Sequence, residues 1–147
     1  MVFRESSDQS TPIGFRYDDN GKVWINAVAH GALTADSPYK VVPGTAGYVT
    51  EAIASGTALY CFVGIAKEAW STGDYAWLQI GGQCDDVTLT SGTTYTSGQY
   101  VALVAGAFTS NAADNVDGIF GVCNETATGA GDPELMLTQV APTRVTS

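Results

Sequence analysis

The chain has 147 residues, a formal net charge of −9 and only 14% charged residues, against roughly 25% in an ordinary soluble domain. Its six basic residues (Arg4, Arg16, Lys22, Lys40, Lys67 and Arg144) are scattered, which excludes the clustered patch needed to neutralise phosphates and disfavours an anionic membrane surface. Hydrophobic residues make up 45% and glycines number 17, so the chain can bury one sizeable core and takes its polarity from hydroxyls and turns, as an all-β domain does.

Taken in order, Met1 to Ser6 lack the apolar core of a signal peptide, and no apolar run approaches the length of a membrane span. Neither secretion by a standard signal nor membrane insertion is expected. Residues 4–12 have no period and little bulk, which predicts an extended arm. Asp18-Asp19-Asn20-Gly21 is a turn signal, since Asn-Gly takes positive φ at low cost. A strand is expected over Lys22 to Val28, with Val23, Ile25 and Ala27 on one face and Trp24 and Asn26 on the other. Ala29 to Ser37, which holds the only histidine, reads as a short helix or a loop. Pro38 and Pro43 are expected to bracket a brief strand, Tyr39 to Val42.

From Gly44 onward the β signal strengthens. Tyr48 to Ile53 is a short strand candidate, and Thr57 to Ala66 is apolar on both faces, as a central strand should be. Tyr75 to Ile80 alternates: Ala76, Leu78 and Ile80 read as core, while Tyr75, Trp77 and Gln79 form an amphipathic face for a partner to cover. Gly81-Gly82 is expected to end that strand. Further strands are predicted over Val87 to Thr90, Gln99 to Val104 with its continuation at Gly106 to Phe108, Val116 to Cys123, and Leu135 to Val140. About nine strands at this spacing predict a small single-domain β-barrel or β-sandwich. The expected boundaries are an N-terminal arm over 1–20, a β domain over 21–140 and a polar tail over 141–147.

One pattern recurs. Gly64-Ile65-Ala66-Lys67-Glu68 leads through a polar turn to Gly73-Asp74 and a new strand. Gly121-Val122-Cys123-Asn124-Glu125 leads likewise to Gly131-Asp132 and the run Glu134 to Val140. A glycine before each aspartate predicts positive φ, with the aspartate accepting hydrogen bonds from its own turn.

Residues that could carry chemistry are few. His30 has no serine or cysteine beside it in a nucleophile elbow. Asp18-Asp19 and Asp85-Asp86 lack the alternating ladder of a dedicated calcium loop. Cys61, Cys84 and Cys123 form no chelating pair with each other or with His30. An odd count without C-x-x-C spacing reads as reduced thiols in a protein folded in a cytoplasm, with a bridge between two of them left open. Gly81-Gly82 lacks the lysine and helix of a phosphate cradle. No catalysis and no cofactor or metal are therefore expected. Trp70, Tyr75, Trp77 and Tyr100 are candidates to stack on sugars, to pack at a subunit contact, or simply to fill the core.

The order Val63-Gly64-Ile65-Ala66, polar turn, Gly73-Asp74, alternating strand, Gly81-Gly82 resembles the small cement or decoration proteins of tailed-bacteriophage heads. Ser97-Gly98-Gln99-Tyr100-Val101 stands where that group has its next landmark, with Gln99 in place of the usual acid. The resemblance spans roughly residues 45 to 123 and leaves the first forty residues unmatched. It implies a β-rich structural subunit, commonly trimeric, made in the host cytoplasm and bound to the major capsid protein on the outer surface of the virion. It implies no enzyme activity and no cofactor. The expected contacts are Arg4 in the arm and Trp70, Tyr75, Trp77 and Gln79 on the barrel, which would also mediate a homo-oligomer. The reading from a different class is a glycan-binding module on a virion or cell surface.

Overall fold

The computed structural model describes residues 14–53, 59–89, 94–104, 107–111, 118–126, 133–139 and 143–145. Among them there is no helix, and 59% are in strands. In chain order the strands are β1 (Phe15–Tyr17), β2 (Val23–Val28), β3 (Ser37–Gly44), β4 (Gly47–Glu51), β5 (Leu59–Ala66), β6 (Tyr75–Cys84), β7 (Tyr100–Val104), β8 (Ala107–Asn111), β9 (Ile119–Cys123), β10 (Leu135–Thr138) and β11 (Thr143–Val145). Strands β2, β4, β3, β5 and β6 close on themselves as a five-stranded barrel. The ladder then runs outward from β6 through β10, β9 and β7 to β8. The all-β expectation holds, and the architecture is a barrel whose longest strand carries a second sheet.

Two apolar clusters explain why both sheets exist. Ile25, Ala27, Val41, Phe62, Ala66, Ala76, Leu78 and Ile80 fill the barrel, and Ala29, Leu33 and Trp70 close one end. Phe15 sits at the other end, its ring 5.5 Å from that of Phe62 and 6.3 Å from that of Tyr48, both edge-on. On the opposite face of β5, Cys61, Val63 and Ile65 join Val101, Leu103, Phe108, Phe120, Leu135 and Leu137 in a second core between the barrel wall and the outer sheet. Strand β5 therefore lies between two cores, which is why its sequence shows no polar face. Gly64 is part of that fit, because a Cβ there would stand 2.7 Å from Leu78 Cβ and 3.2 Å from Val41 Cγ2.

Several boundaries differ from the expectation, each for a local reason. Gly81-Gly82 does not end β6. Gly81 lies against Val23 with no room for a side chain, and Gly82 has φ +85°. The strand bends there: β6 has already left β5 at Gln79, keeps β2 as far as Gly81, and runs on from Gly81 to Cys84 against β10. Nor do Pro38 and Pro43 bracket β3; both lie within it. Pro38 falls where β3 pairs only with β5 and Pro43 where it pairs only with β4, so each missing N–H can face the side without a partner strand. Of the segment Ala29 to Ser37, Ala29 to Asp36 is a loop leading into β3, tied by a two-way backbone pair between Leu33 and Trp70, and Ser37 already belongs to the strand. Val87 to Leu89 is not a strand either, but Val87 and Leu89 are buried and the segment is anchored through Val87 N–H to Pro133 O and Thr88 N–H to Asp36 O. Ala107 and Phe108 begin a separate strand that returns against β7. Within the expected C-terminal tail, Thr143–Val145 pairs with β5. Within the arm expected over 1–20, Phe15–Tyr17 forms β1 against β2; residues 1–13, including Arg4, lie outside the described residues, as do Gly131 and Asp132.

The hairpin joining β1 to β2 is built around Asp18. Its Oδ1 accepts from Asn20 N–H (2.9 Å) and Lys22 N–H (3.0 Å), and its Oδ2 from Trp24 Nε1–H (3.1 Å). Partial burial alone would raise the Asp18 carboxyl; these hydrogen bonds and the Lys22 charge outweigh it and hold the group below its ordinary value. At the first Gly-Asp turn, Gly73 has φ +92°, Asp74 N–H donates to Ser71 O, and Asp74 Oδ2 accepts from Ser71 N–H at 2.9 Å. The two recurring segments give corresponding antiparallel pairs, with Ala66 opposite Leu78 in one and Cys123 opposite Leu135 in the other.

Because nothing lies within 4 Å of a Cβ built on Gly73, Gly73→Val should cost about 1–3 kcal/mol through backbone strain alone, and Thr72→Val much less. Gly64→Ala should cost a similar 1–3 kcal/mol (about the usual overpacking cost) although its backbone is ordinary. Thermal melts of the three variants check this; equal midpoints for the Gly73 and Thr72 changes would contradict it.

Candidate functional site

The face expected to await a partner lies inside the molecule. Trp77 is 4% exposed, Gln79 is fully buried and Trp70 is buried at the barrel end, while Tyr75 is half-buried. The contact expected from Trp70, Trp77 and Gln79 is corrected accordingly: the chain's own elements cover these side chains. Alternation along β6 does separate two faces, but the barrel turns one inward and the remaining structure seals the other. The Arg16 guanidinium stands 5.0 Å from the Trp77 ring centre, and Asn26 pairs with Trp77 across the β2–β6 ladder. Gln79 serves its own strand. Its Nε2 donates to Gly81 O (3.0 Å) and Gln83 O (2.8 Å), bracing the bend at Gly82.

A second buried amide has a comparable duty. Gln139 Oε1 accepts from Val63 N–H at 2.9 Å, and its Nε2 donates to Val63 O at 2.6 Å. On that edge of β5, β6 pairs at Ile65 and Ala66 and β11 at Leu59 to Cys61. The Gln139 side chain supplies the hydrogen bonds between them, acting as one residue of strand.

The titratable candidates gather into no site among the described residues. His30 is exposed, its N–H donates to Thr50 Oγ1 at 3.1 Å, and it borders an open cavity of about 210 Å³ with Leu33, Tyr39 and Glu51. Asp85 and Asp86 are exposed on a loop. Lys67 Nζ reaches Asp36 Oδ1 at 2.5 Å and donates to Asp85 O at 2.6 Å, so this cation ties two loops together. No group of three or more His, Cys, Asp or Glu side chains is placed to hold a metal among the described residues. Cys61, Cys84 and Cys123 are all buried and unbridged. Leu135 pairs with both Cys84 and Cys123, so β10 separates those two by two strand spacings, about 9.6 Å, too far for a disulfide. Burial pushes all three thiols up to about 11.

The surface that remains available lies on the outer sheet. Gln83, Met136, Val122 and Tyr100 are successive cross-strand partners over β6, β10, β9 and β7. Tyr100 is 39% and Met136 38% exposed, and this row contains no charged side chain in a chain of net charge −9. Tyr100 stood out in the sequence as an aromatic; Met136 and Val122 did not. The signal was the alternation Leu135-Met136-Leu137-Thr138, which puts Met136 and Thr138 on the face opposite the core. A second exposed apolar pair, Phe15 and Tyr17 on β1, is more open to solvent still, at 46% and 64%.

Trp77→Ala should therefore behave as a core truncation, lowering stability by about 3–5 kcal/mol in a denaturant titration; an unchanged midpoint would return Trp77 to the surface. The thiols make a second prediction. Their folded-state values lie above the reference of 9.0, so their contribution to stability is complete below pH 9 and is lost as pH rises toward 11. Native protein at neutral pH should resist a thiol reagent that labels all three cysteines after unfolding; rapid native labelling would contradict their burial.

Comparison with protein-family models, with curated proteins and with solved structures finds no match to this chain.

Proposed function

We propose that the chain is a structural virion protein, a decoration or cement subunit that binds the outer surface of a phage head and stabilises contacts between major capsid proteins. The observation that carries this reading is the uncharged row Gln83, Met136, Val122 and Tyr100 on a rigid two-core β scaffold. On a strongly acidic chain, such a face is where a neighbour can pack without burying unpaired like charge. The sequence landmarks of the resemblance also fall on positions the fold depends on. Gly64 sits where β5 meets Leu78, Gly73 and Gly98 have positive φ, and Gly82 makes the corner of β6. Contacts that are weak singly would sum by avidity over a repeating shell.

The homo-oligomer, with a trimer as the proposed number, moves in this reading from the Tyr75/Trp77/Gln79 face to the outer-sheet row. The glycan-binding reading remains the alternative. Its platforms would be Tyr17, 64% exposed, and Tyr100, because the rings of Trp70 and Trp77 are buried.

Co-sedimentation with emptied phage heads, followed by electron microscopy of the decorated particles, tests the proposal. Added density on the outer surface is expected. Heads that remain bare, together with retention of the protein on a glycan array, would replace this reading with the alternative. Tyr100→Asp and Met136→Asp should shift sedimentation equilibrium toward the 15.3 kDa monomer while changing folding stability by no more than about 0.5 kcal/mol, as ordinary surface substitutions do. A wild-type protein that is monomeric throughout the micromolar range would contradict the oligomer.

A further inference from the structure

Of the five asparagines in the chain, only Asn20 is followed by glycine, and the structure gives that pair an unusual freedom. Asn20 and Gly21 are both exposed at the tip of the β1–β2 hairpin. Asn20 uses its backbone N–H, which donates to Asp18 Oδ1, but its side-chain amide has no hydrogen-bond partner among the described residues. Gly21 has φ +78° and nothing within 4 Å of where a Cβ would be. Its N–H is held only by a long bond to Asp18 O, 3.3 Å, near the outer limit of a useful hydrogen bond. The other described asparagines are restrained. Asn26 is fully buried with its Nδ2 donating to Ala76 O at 3.0 Å, Asn111 lies in the β7–β8 ladder opposite Tyr100, and Asn124 precedes Glu125 rather than a glycine, its own N–H donating to Glu134 O at 2.9 Å.

We propose that Asn20 is a site of spontaneous deamidation, in which the Gly21 backbone nitrogen attacks the Asn20 side-chain carbonyl. A bond forms between Gly21 N and Asn20 Cγ, and the Cγ–Nδ2 bond breaks. The Gly21 N–H proton passes to solvent base and the amide nitrogen departs as ammonia. Water then opens the five-membered imide at either carbonyl, giving aspartate or isoaspartate at position 20. No oxidant, cofactor or enzyme is required. Glycine matters because it puts no side chain in the path of ring closure and allows the backbone rotation that closure demands. The strand that must yield is short: β1 has three residues, so local opening of this hairpin is inexpensive compared with global unfolding.

The two products differ in consequence. Aspartate leaves the main chain unchanged, and short polar residues suit a turn. Isoaspartate routes the main chain through the side-chain carbon, lengthening the turn between Asp18 and Lys22. The Asp18 carboxylate then cannot hold Asn20 N–H, Lys22 N–H and Trp24 Nε1–H together. Because β1 carries Phe15 over Phe62 and Arg16 over Trp77, the change would loosen the plug at that end of the barrel.

The test is to incubate the full-length chain in mildly alkaline buffer at body temperature for several weeks, alongside the same chain unfolded in urea. Proteolytic peptide mapping by mass spectrometry and isoaspartyl-methyltransferase labelling read the product at each asparagine. Asn20 is expected to convert before the other four in the folded chain, giving both products, and the isoaspartyl form should show altered tryptophan fluorescence. Asn20→Asp, which reproduces the unlengthened product, should retain native fluorescence at the outset and should label much more slowly than the wild-type chain, because Asp-Gly reaches the same imide only by losing water. Asn20 intact in the folded chain while it converts in urea would overturn the proposal, as would conversion no faster than at Asn124.

Discussion

Strand β5 is buried on both faces, and every other feature of the molecule follows from satisfying it. A strand in that position has no water to accept its backbone hydrogen bonds, so each N–H and C=O must meet a protein partner or cost about 1–3 kcal/mol. Along one edge β3 provides them. Along the other edge β6 pairs only at Ile65 and Ala66 before it bends away. Gln139 takes Val63 with both ends of its amide, and β11 completes the edge at Leu59 to Cys61. Closing the barrel and hanging a second sheet on β6 are compatible only because this edge is finished by three separate pieces of chain.

The bend in β6 is the counterpart of that arrangement. Gly82 supplies the positive φ, Gly81 the close approach to Val23, and the Gln79 amide braces the corner by donating to two carbonyls of its own strand. The first part of β6 thus belongs to the barrel and the last part to the outer sheet, with an apolar cluster on each side of the wall they share. A close-packed wall of this kind presents its outermost sheet face with little freedom to rearrange, which would suit the proposed decoration subunit, docked repeatedly on a regular surface. The uncharged row through Tyr100 and Met136 occupies that face.

Much of this was legible in the residues. The all-β class, the two-faced burial of β5, the inward set Ala76, Leu78 and Ile80, and the positive φ at Gly73 all follow from alternation and turn chemistry. Other features depended on tertiary context. The pattern of β6 says that Trp77 and Gln79 share a face, but it cannot say that the same chain seals it. Gly81-Gly82 carries the same local signal whether a strand stops or turns a corner, and the pairing with β10 decides between them. Pro38 and Pro43 look like strand breakers until it is known which edge of β3 is open at each. Gln139, a single amide beyond a short strand, gave no sequence signal at all, because its role depends on a gap 76 residues away along the chain.

That role can be measured directly. Amide hydrogen exchange at Val63, followed by NMR under native conditions, reports whether its N–H is sealed by Gln139. The account predicts that Val63 exchanges only with global unfolding, among the slowest amides in the molecule, and that Gln139→Ala speeds Val63 selectively while Ile65 stays protected. Exchange at Val63 as fast as in the exposed loops of the wild-type protein would contradict the claim that both faces and both edges of β5 are closed.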